Sequence, residues 1–179
     1  MNKAKSLLIE KLSGWKRDIE KFKPPSAQKF ELNSKTLNDI SKINRLVNQI
    51  ESIVGSCIYR ILIPSKKYCS LIKREFDNFQ LDNKPKEKGK KRHVSRFMQC
   101  DSICLYVGSK RNKIVNRIKQ HLGYGPARTY SLDLKFWFPP NIQILFEIYS
   151  VDLGNDLLVI LEQQMWENSK PMFGKQSGL

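Results

Sequence analysis

The sequence has few of the residues on which zinc-bound and membrane-spanning proteins depend. It has two histidines, and none of its four cysteines belongs to a CxxC pair, whereas zinc sites use two close pairs of ligands. No apolar run is longer than the five residues 157–161, which is too short to cross a bilayer, and the N-terminal run LLI is too short for a signal peptide. We therefore expect no structural zinc, no membrane partner and a soluble cytoplasmic protein.

Acidic residues are also scarce. The 179 residues contain 17 Asp and Glu against 32 Lys and Arg, a formal net charge of +15. Such an excess favours a polyanionic partner, most simply nucleic acid, although membrane-associated and merely soluble proteins can also be basic. With 40% hydrophobic residues the chain can bury a core of one domain.

Hydrophobic periodicity predicts an α/β or α+β fold: a small three-stranded mixed sheet flanked by helices and preceded by an N-terminal helical arm. The arm covers residues 1–54 and the domain covers 55–179, with a basic insertion at about 64–101. The arm should contain helices over 1–23 and from Asn33 or Ser34 to Val54. In the domain we predict strands over 57–63, 102–108 and 142–151, and helices over 68–79, 110–122, 127–137 and 155–168.

The basic insertion carries seven cationic residues and one acid between residues 84 and 96, with no apolar period. It is typical of a flexible loop, which could grip DNA or simply keep the surface solvated. Further candidates for the same surface lie close to the predicted helix 110–122, among them Arg111 and Thr129. The candidate DNA-binding residues are Lys84, Lys86, Lys88, Lys90, Lys91, Arg92, Arg96, Lys110, Lys113 and Arg128; Arg128 could instead be a structural cap partner.

The predicted helix 110–122 has two stripes, because residues four apart share a helix face. One stripe is apolar and suited to packing on the sheet: Ile114, Ile118 and Leu122. The other is polar, with Lys113, Arg117 and His121, and could be either a solvated basic face or a phosphate site. Arginine favours the second interpretation because its planar fork binds phosphate through two hydrogen bonds.

Two tyrosines and a glutamate complete the pattern. Tyr59 and Tyr106 lie in predicted strands, where aromatic residues usually serve packing, yet a phenol can also act on a water beside a phosphate. Gly108 permits a sharp turn and close backbone approach. Glu162 lies in the apolar run LLVILEQQMW, so it either points into water or binds a hard cation such as Mg²⁺.

In this order the motifs resemble those of the GIY-YIG nuclease superfamily: CIY at 57–59, YVG at 106–108, Arg-x3-His at 117–121 and a late Glu162. The resemblance covers about residues 55–176. It implies a Mg²⁺-dependent endonuclease, with Mn²⁺ substituting, that hydrolyses phosphodiester bonds of double-stranded DNA. The arm and the insertion make it similar to restriction or defence members, and whether it acts as a homodimer is left open.

The resemblance also implies roles for single residues. Tyr59 would help activate the attacking water, Tyr106 would orient phosphate or water, Arg117 would steady the scissile phosphate and His121 would contact the reacting groups. Glu162 would hold the metal, and Gly108 would form the turn after Tyr106.

Two departures qualify these implications. Cys57 stands where the family has glycine, and Gly174-Lys175 stands near the place of a closing asparagine. A non-catalytic nucleic-acid-binding module on the same scaffold is therefore the alternative. A nuclease built on Asp plus Glu-x-Lys finds little support, because Glu147 in FEIYS has no lysine two residues on.

Overall fold

A computed structural model describes residues 1–83, 91–99 and 101–175. Within them one antiparallel sheet of four strands forms the centre of the fold, in the order β1-β4-β2-β3. The strands are β1 (Gln28–Asn33), β2 (Cys57–Leu62), β3 (Cys104–Lys110) and β4 (Gln143–Ser150). β3 is therefore an edge strand, and it pairs with β2 so that Tyr59 lies opposite Gly108.

Five α-helices surround this sheet: α1 (Asn2–Lys21), α2 (Ile40–Glu51), α3 (Cys69–Asp82), α4 (Ile114–Leu122) and α5 (Asn155–Ser169). Asp39 caps α2 by accepting hydrogen bonds from the backbone N–H groups of Ser41 and Lys42. Lys113 has a left-handed backbone (φ 55°) directly before α4, and Gly123 (φ 96°) ends that helix. No helix in the described part of the chain is long and apolar enough to cross a membrane.

The two faces of the sheet bury different helices. Because side chains alternate along a strand, Tyr59 and Ile61 face the main core, which contains the apolar stripes of α2 and α4. Ile58 and Leu62 face the other side, where they pack against residues of α5. α4 and α5 thus lie on opposite faces, and both approach the edge strand β3.

The structure corrects three predictions about the fold. The sheet has four strands and is antiparallel throughout, where we expected three strands in a mixed sheet. The additional strand, β1, lies within the predicted helical arm, because Phe30 and Leu32 alternate with polar residues and pack into the core. Residues 127–137 form only a short 3-10 turn, Leu134–Phe136, instead of a helix.

The remaining elements are close to those expected. The strands near 57, 104 and 143 and the helices near the N-terminus, 69, 114 and 155 are present, which confirms the general α+β class. The second helix starts later than predicted: a 3-10 turn, Ser34–Thr36, precedes it, capped by Asn33.

Candidate functional site

Arg117 is the centre of a polar cluster between α4 and the sheet. Its Nε donates to the Tyr59 hydroxyl (3.3 Å) and one terminal nitrogen donates to the Tyr106 hydroxyl (3.0 Å). The other terminal nitrogen donates to the Gln120 side-chain oxygen (3.0 Å) and to the Tyr130 backbone oxygen (2.9 Å). The guanidinium is therefore fixed in one orientation by partners from several segments of the chain.

His121 lies behind Arg117 and is fully buried. Its Nδ1 accepts a hydrogen bond from the Leu132 backbone N–H (3.2 Å), so in the neutral ring the proton is on Nε2. Nε2 then donates to the Tyr59 hydroxyl oxygen, 2.9 Å away. The rings of Tyr106 and His121 also contact each other, with centroids 4.4 Å apart.

Tyr59 receives two hydrogen bonds, from His121 and from Arg117, and is only 1% exposed. Burial, together with Tyr106, raises the pKa of Tyr59 well above its usual value, and Arg117 only partly opposes this. Burial and the Arg117 charge lower the pKa of His121 well below its usual value. At neutral pH the pair is therefore a phenol and a neutral imidazole. The outer members of the cluster, Tyr106 and Arg117, are half-buried.

Gly108 provides the space that the two phenols occupy. A Cβ at this position would lie 2.6 Å from the Tyr59 hydroxyl oxygen and 2.9 Å from Cε1 of Tyr106. Gly108 lies within β3 and has no positive φ, so the predicted role in a turn is wrong while the predicted close approach is correct. The segment after α5 also reaches this place, because a Cβ on Gly174 would contact the Tyr106 ring at 3.3 Å.

An open groove of about 650 Å³ adjoins the cluster and curves around the end of β3. It runs from α4, through the β3–α4 loop, to the first turns of α5. Its charged lining residues are all cationic, and the polar ones include three asparagines. The lining residues are Ser109, Lys110, Arg111, Asn112, Lys113, Asn116, Arg117, Gln120, Asn155, Leu158 and Val159.

Glu162 reaches the wall of this groove from the opposite face of the sheet. The Ser109 hydroxyl donates to its carboxylate at 2.5 Å, and Glu162 follows the groove residues Leu158 and Val159 by one helical turn. It also interacts electrostatically with Tyr59. Arg117 and Glu162 therefore lie on opposite faces of the sheet, and each contacts the edge strand β3, Arg117 through Tyr106 and Glu162 through Ser109.

The donor set for a metal is small. No group of three or more His, Cys, Asp or Glu residues that could hold a metal occurs among the described residues. Mg²⁺, however, is often bound by one or two carboxylates together with waters and phosphate oxygens of the substrate. Glu162, oriented by Ser109, fits that mode of binding as the one protein carboxylate.

The predicted DNA-binding residues fall into three groups: those outside the described residues, one that is paired within the fold, and those that are exposed. Lys84, Lys86, Lys88 and Lys90 lie outside the described residues. Arg92 belongs to the fold, since its guanidinium forms a bidentate pair with the buried carboxylate of Asp133 (2.9 and 3.2 Å) and lies 4.0 Å from the Phe136 ring centroid. We therefore withdraw it from the DNA surface. The others are exposed: Lys91, Arg96, Lys110, Lys113 and Arg128.

Two further corrections concern α4. Lys113 precedes the helix instead of lying on it, and His121 faces the core, so Lys113, Arg117 and His121 do not form the polar stripe predicted for this helix. The apolar stripe of the same helix is buried as predicted. Arg128 is not a helix-cap partner, because no α-helix begins there.

Sequence reasoning missed Ser109 and Tyr130, which orient Glu162 and Arg117. Ser109 could have been found from its place beside Gly108, whereas the Tyr130 contact is made by a backbone oxygen and leaves no signal in the sequence. Comparison with known proteins gives no further signal. No family model, curated protein or solved structure matches the chain. The geometry of the site is thus the basis for a function.

Proposed function

We propose that the protein is a Mg²⁺-dependent DNA endonuclease of the GIY-YIG type, acting in restriction or defence. The observation that carries this proposal is an arginine fixed by two tyrosine hydroxyls at the wall of a basic groove. A preorganised guanidinium stabilises the charge that develops on phosphate oxygens without having to reorient during the reaction. In addition, the groove offers further cations for the flanking phosphates.

Each side chain has a defined task in this proposal. Arg117 binds the scissile phosphate, and the Tyr106 hydroxyl, which also contacts Arg117, positions a phosphate oxygen or the attacking water. Tyr59 accepts hydrogen bonds from both His121 and Arg117 and is only 1% exposed, so in this proposal it holds Arg117 in place and does not itself touch the substrate. His121, which is buried behind Tyr59 and hydrogen-bonded to it, has a positioning role as well.

Glu162 would hold the Mg²⁺ ion, with Ser109 orienting its carboxylate. When bound, this ion would act as a Lewis acid that neutralises charge on the phosphate. Mn²⁺ has the same preference for oxygen ligands and should replace it.

The second candidate is a DNA-binding module without cleavage activity. Two observations favour it: the described residues contain no three-ligand metal cluster, and Arg117 and Glu162 belong to opposite faces of the sheet. It shares the basic groove with the first proposal, so only an assay of cleavage separates the two.

The test is nicking of supercoiled plasmid in Mg²⁺. We expect the wild type to nick or linearise the plasmid and Glu162→Gln to be inactive while it still binds DNA, because the change removes one charge and keeps the shape. Arg117→Lys should lower the rate by about 10²- to 10³-fold, the usual cost of removing one donor that stabilises the transition state.

Matched controls come from other helix positions in the same fold. Glu167→Gln, five residues further along α5, and Arg74→Lys, exposed on α3, should retain full activity. Binding of DNA by gel shift without cleavage in Mg²⁺ or Mn²⁺ would favour the binding module. Equal activity of Glu162→Gln and wild type would remove Glu162 as the metal ligand.

A further inference from the structure

Tyr130 is 66% exposed although the backbone of this residue is firmly held. Its carbonyl oxygen accepts the hydrogen bond from Arg117 (2.9 Å), so the residue is anchored beside the guanidinium. The His93 ring lies next to the Tyr130 ring, with centroids 5.0 Å apart and a tilt of 49°. Two adjacent aromatic rings therefore lie at the surface next to the proposed phosphate site.

This aromatic pair is built into the fold. The His93 backbone N–H donates to the Ala127 oxygen (2.7 Å), and its carbonyl accepts from the Ser131 N–H (3.3 Å). The ion pair of Arg92 with Asp133 joins the same two segments. A ligand that stacks here would thus meet a preorganised surface and would not have to order a loop.

The pair lines a second groove, of about 370 Å³, a size that falls in the usual range for small-ligand pockets, about 300–1,000 Å³. Exposed Lys91 and Arg96 belong to its lining, and half-buried Phe97 forms part of its wall. Flat aromatic surface bordered by cations suits a planar aromatic group that carries a phosphate. A nucleotide has this chemistry.

We propose that Tyr130 and His93 stack the base of an unpaired nucleotide next to the phosphate held by Arg117. The inference rests on the proposed function and specifies its substrate. Bases in an intact duplex are stacked on one another and cannot present a face to a protein ring. The preferred substrate is therefore duplex DNA with an unpaired nucleotide beside the scissile phosphate, as at a gap, flap or bulge.

Photocrosslinking tests this contact directly. The full-length protein is bound, in EDTA so that no cleavage occurs, to a duplex whose one-nucleotide bulge is 5-iodouracil, and irradiated; mass spectrometry locates the adduct. We expect the adduct on Tyr130 or His93. Adducts confined to other residues, such as those of the groove around β3, would overturn the inference.

The ratio of affinities for bulged and intact duplex provides the second readout. Tyr130→Ala should reduce this ratio at least about fivefold, in keeping with the removal of one base–aromatic stack, whereas Tyr130→Phe should preserve it. An unchanged ratio in Tyr130→Ala would overturn the inference while leaving the endonuclease proposal intact. Failure of the wild type to bind any DNA would overturn both.

Discussion

At the scale of single residues, the most consequential group is His121, a fully buried imidazole between a backbone donor and a phenol. Protonating it would place a second cation beside Arg117 and remove the acceptor for the Leu132 N–H. The burial of this ring therefore makes the stability of the folded state sensitive to acid.

The pKa of His121 is lowered on folding, so the unfolded chain binds a proton that the folded chain rejects. Its contribution to stability is complete above the unfolded pKa of about 6.5 and is lost as the pH falls below that value. Between about pH 7.5 and 5.5 we expect the free energy of unfolding to decrease by about 1.4 kcal/mol. Urea denaturation at several pH values measures this decrease.

His121→Gln should unfold at lower urea concentration but lack this part of the pH dependence. If the free energy of unfolding of the wild type were constant across this pH range, the assignment of a buried neutral imidazole to His121 would be wrong.

The same residues show how far the sequence alone can lead. Arg117, Tyr59 and Tyr106 could be grouped from their motif, and the structure joins them by hydrogen bonds. The burial of His121 could not be foreseen from a stripe of residues four apart. It follows from the Leu132 backbone N–H and the Tyr59 hydroxyl, which pair both ring nitrogens inside the core. The ion pair of Arg92 could not be predicted from the sequence either, because its partner Asp133 is 41 residues away along the chain.

At the scale of secondary-structure elements, β3 and α1 differ in how closely other groups approach their backbones. Side-chain atoms of Tyr59 and Tyr106 would lie within 3 Å of a Cβ at Gly108 in β3, whereas a Cβ at Gly14 in α1 would have nothing within 4 Å. The two glycines make a matched pair, because the same substitution to alanine should have opposite effects on stability.

Gly108→Ala should destabilise the fold by about 1–3 kcal/mol, since the new methyl group overlaps with two large rings held by hydrogen bonds. Gly14→Ala should stabilise it by about 0.5–1 kcal/mol through helix propensity. Thermal or urea unfolding of both variants measures the difference. Equal effects would show that the Tyr59 and Tyr106 rings can shift to accommodate the methyl group at little cost. The tight packing described for the site would then be wrong.

Elements were predicted well where hydrophobic period and turn residues agreed. The strand at Cys57–Leu62 is an apolar segment interrupted only by Arg60 that ends before Pro64, and the stripe Ile114, Ile118 and Leu122 is buried as its spacing requires. β1 was not predicted, because its core-facing residues are only Phe30 and Leu32, too few to outweigh the helical patterns on both sides. Its pairing with β4, distant along the chain, supplies the missing stabilisation.

At the scale of the whole molecule, the net charge of +15 is spread over the surface, but the grooves concentrate part of it beside Arg117. Lys110, Arg111 and Lys113 line the groove around the end of β3, where the described lining contains no acid. α1 also carries exposed cations, among them Lys5, Lys16 and Arg17, on the surface of a helix whose residues are mostly exposed. The two sets allow local charge to be distinguished from total charge.

If the groove binds the DNA backbone, then replacing Lys110, Arg111 and Lys113 together by glutamine should reduce the slope of log affinity against log salt by about 3, roughly one unit for each phosphate that is no longer neutralised. The same triple replacement at Lys5, Lys16 and Arg17 removes as much charge but should leave the slope within about one unit of the wild type. Fluorescence anisotropy with a short duplex, in EDTA, at salt concentrations from about 50 to about 300 mM is the measurement. Equal reductions from both sets would mean that total charge and not the groove governs binding, and the position of Arg117 would then have no connection to the DNA.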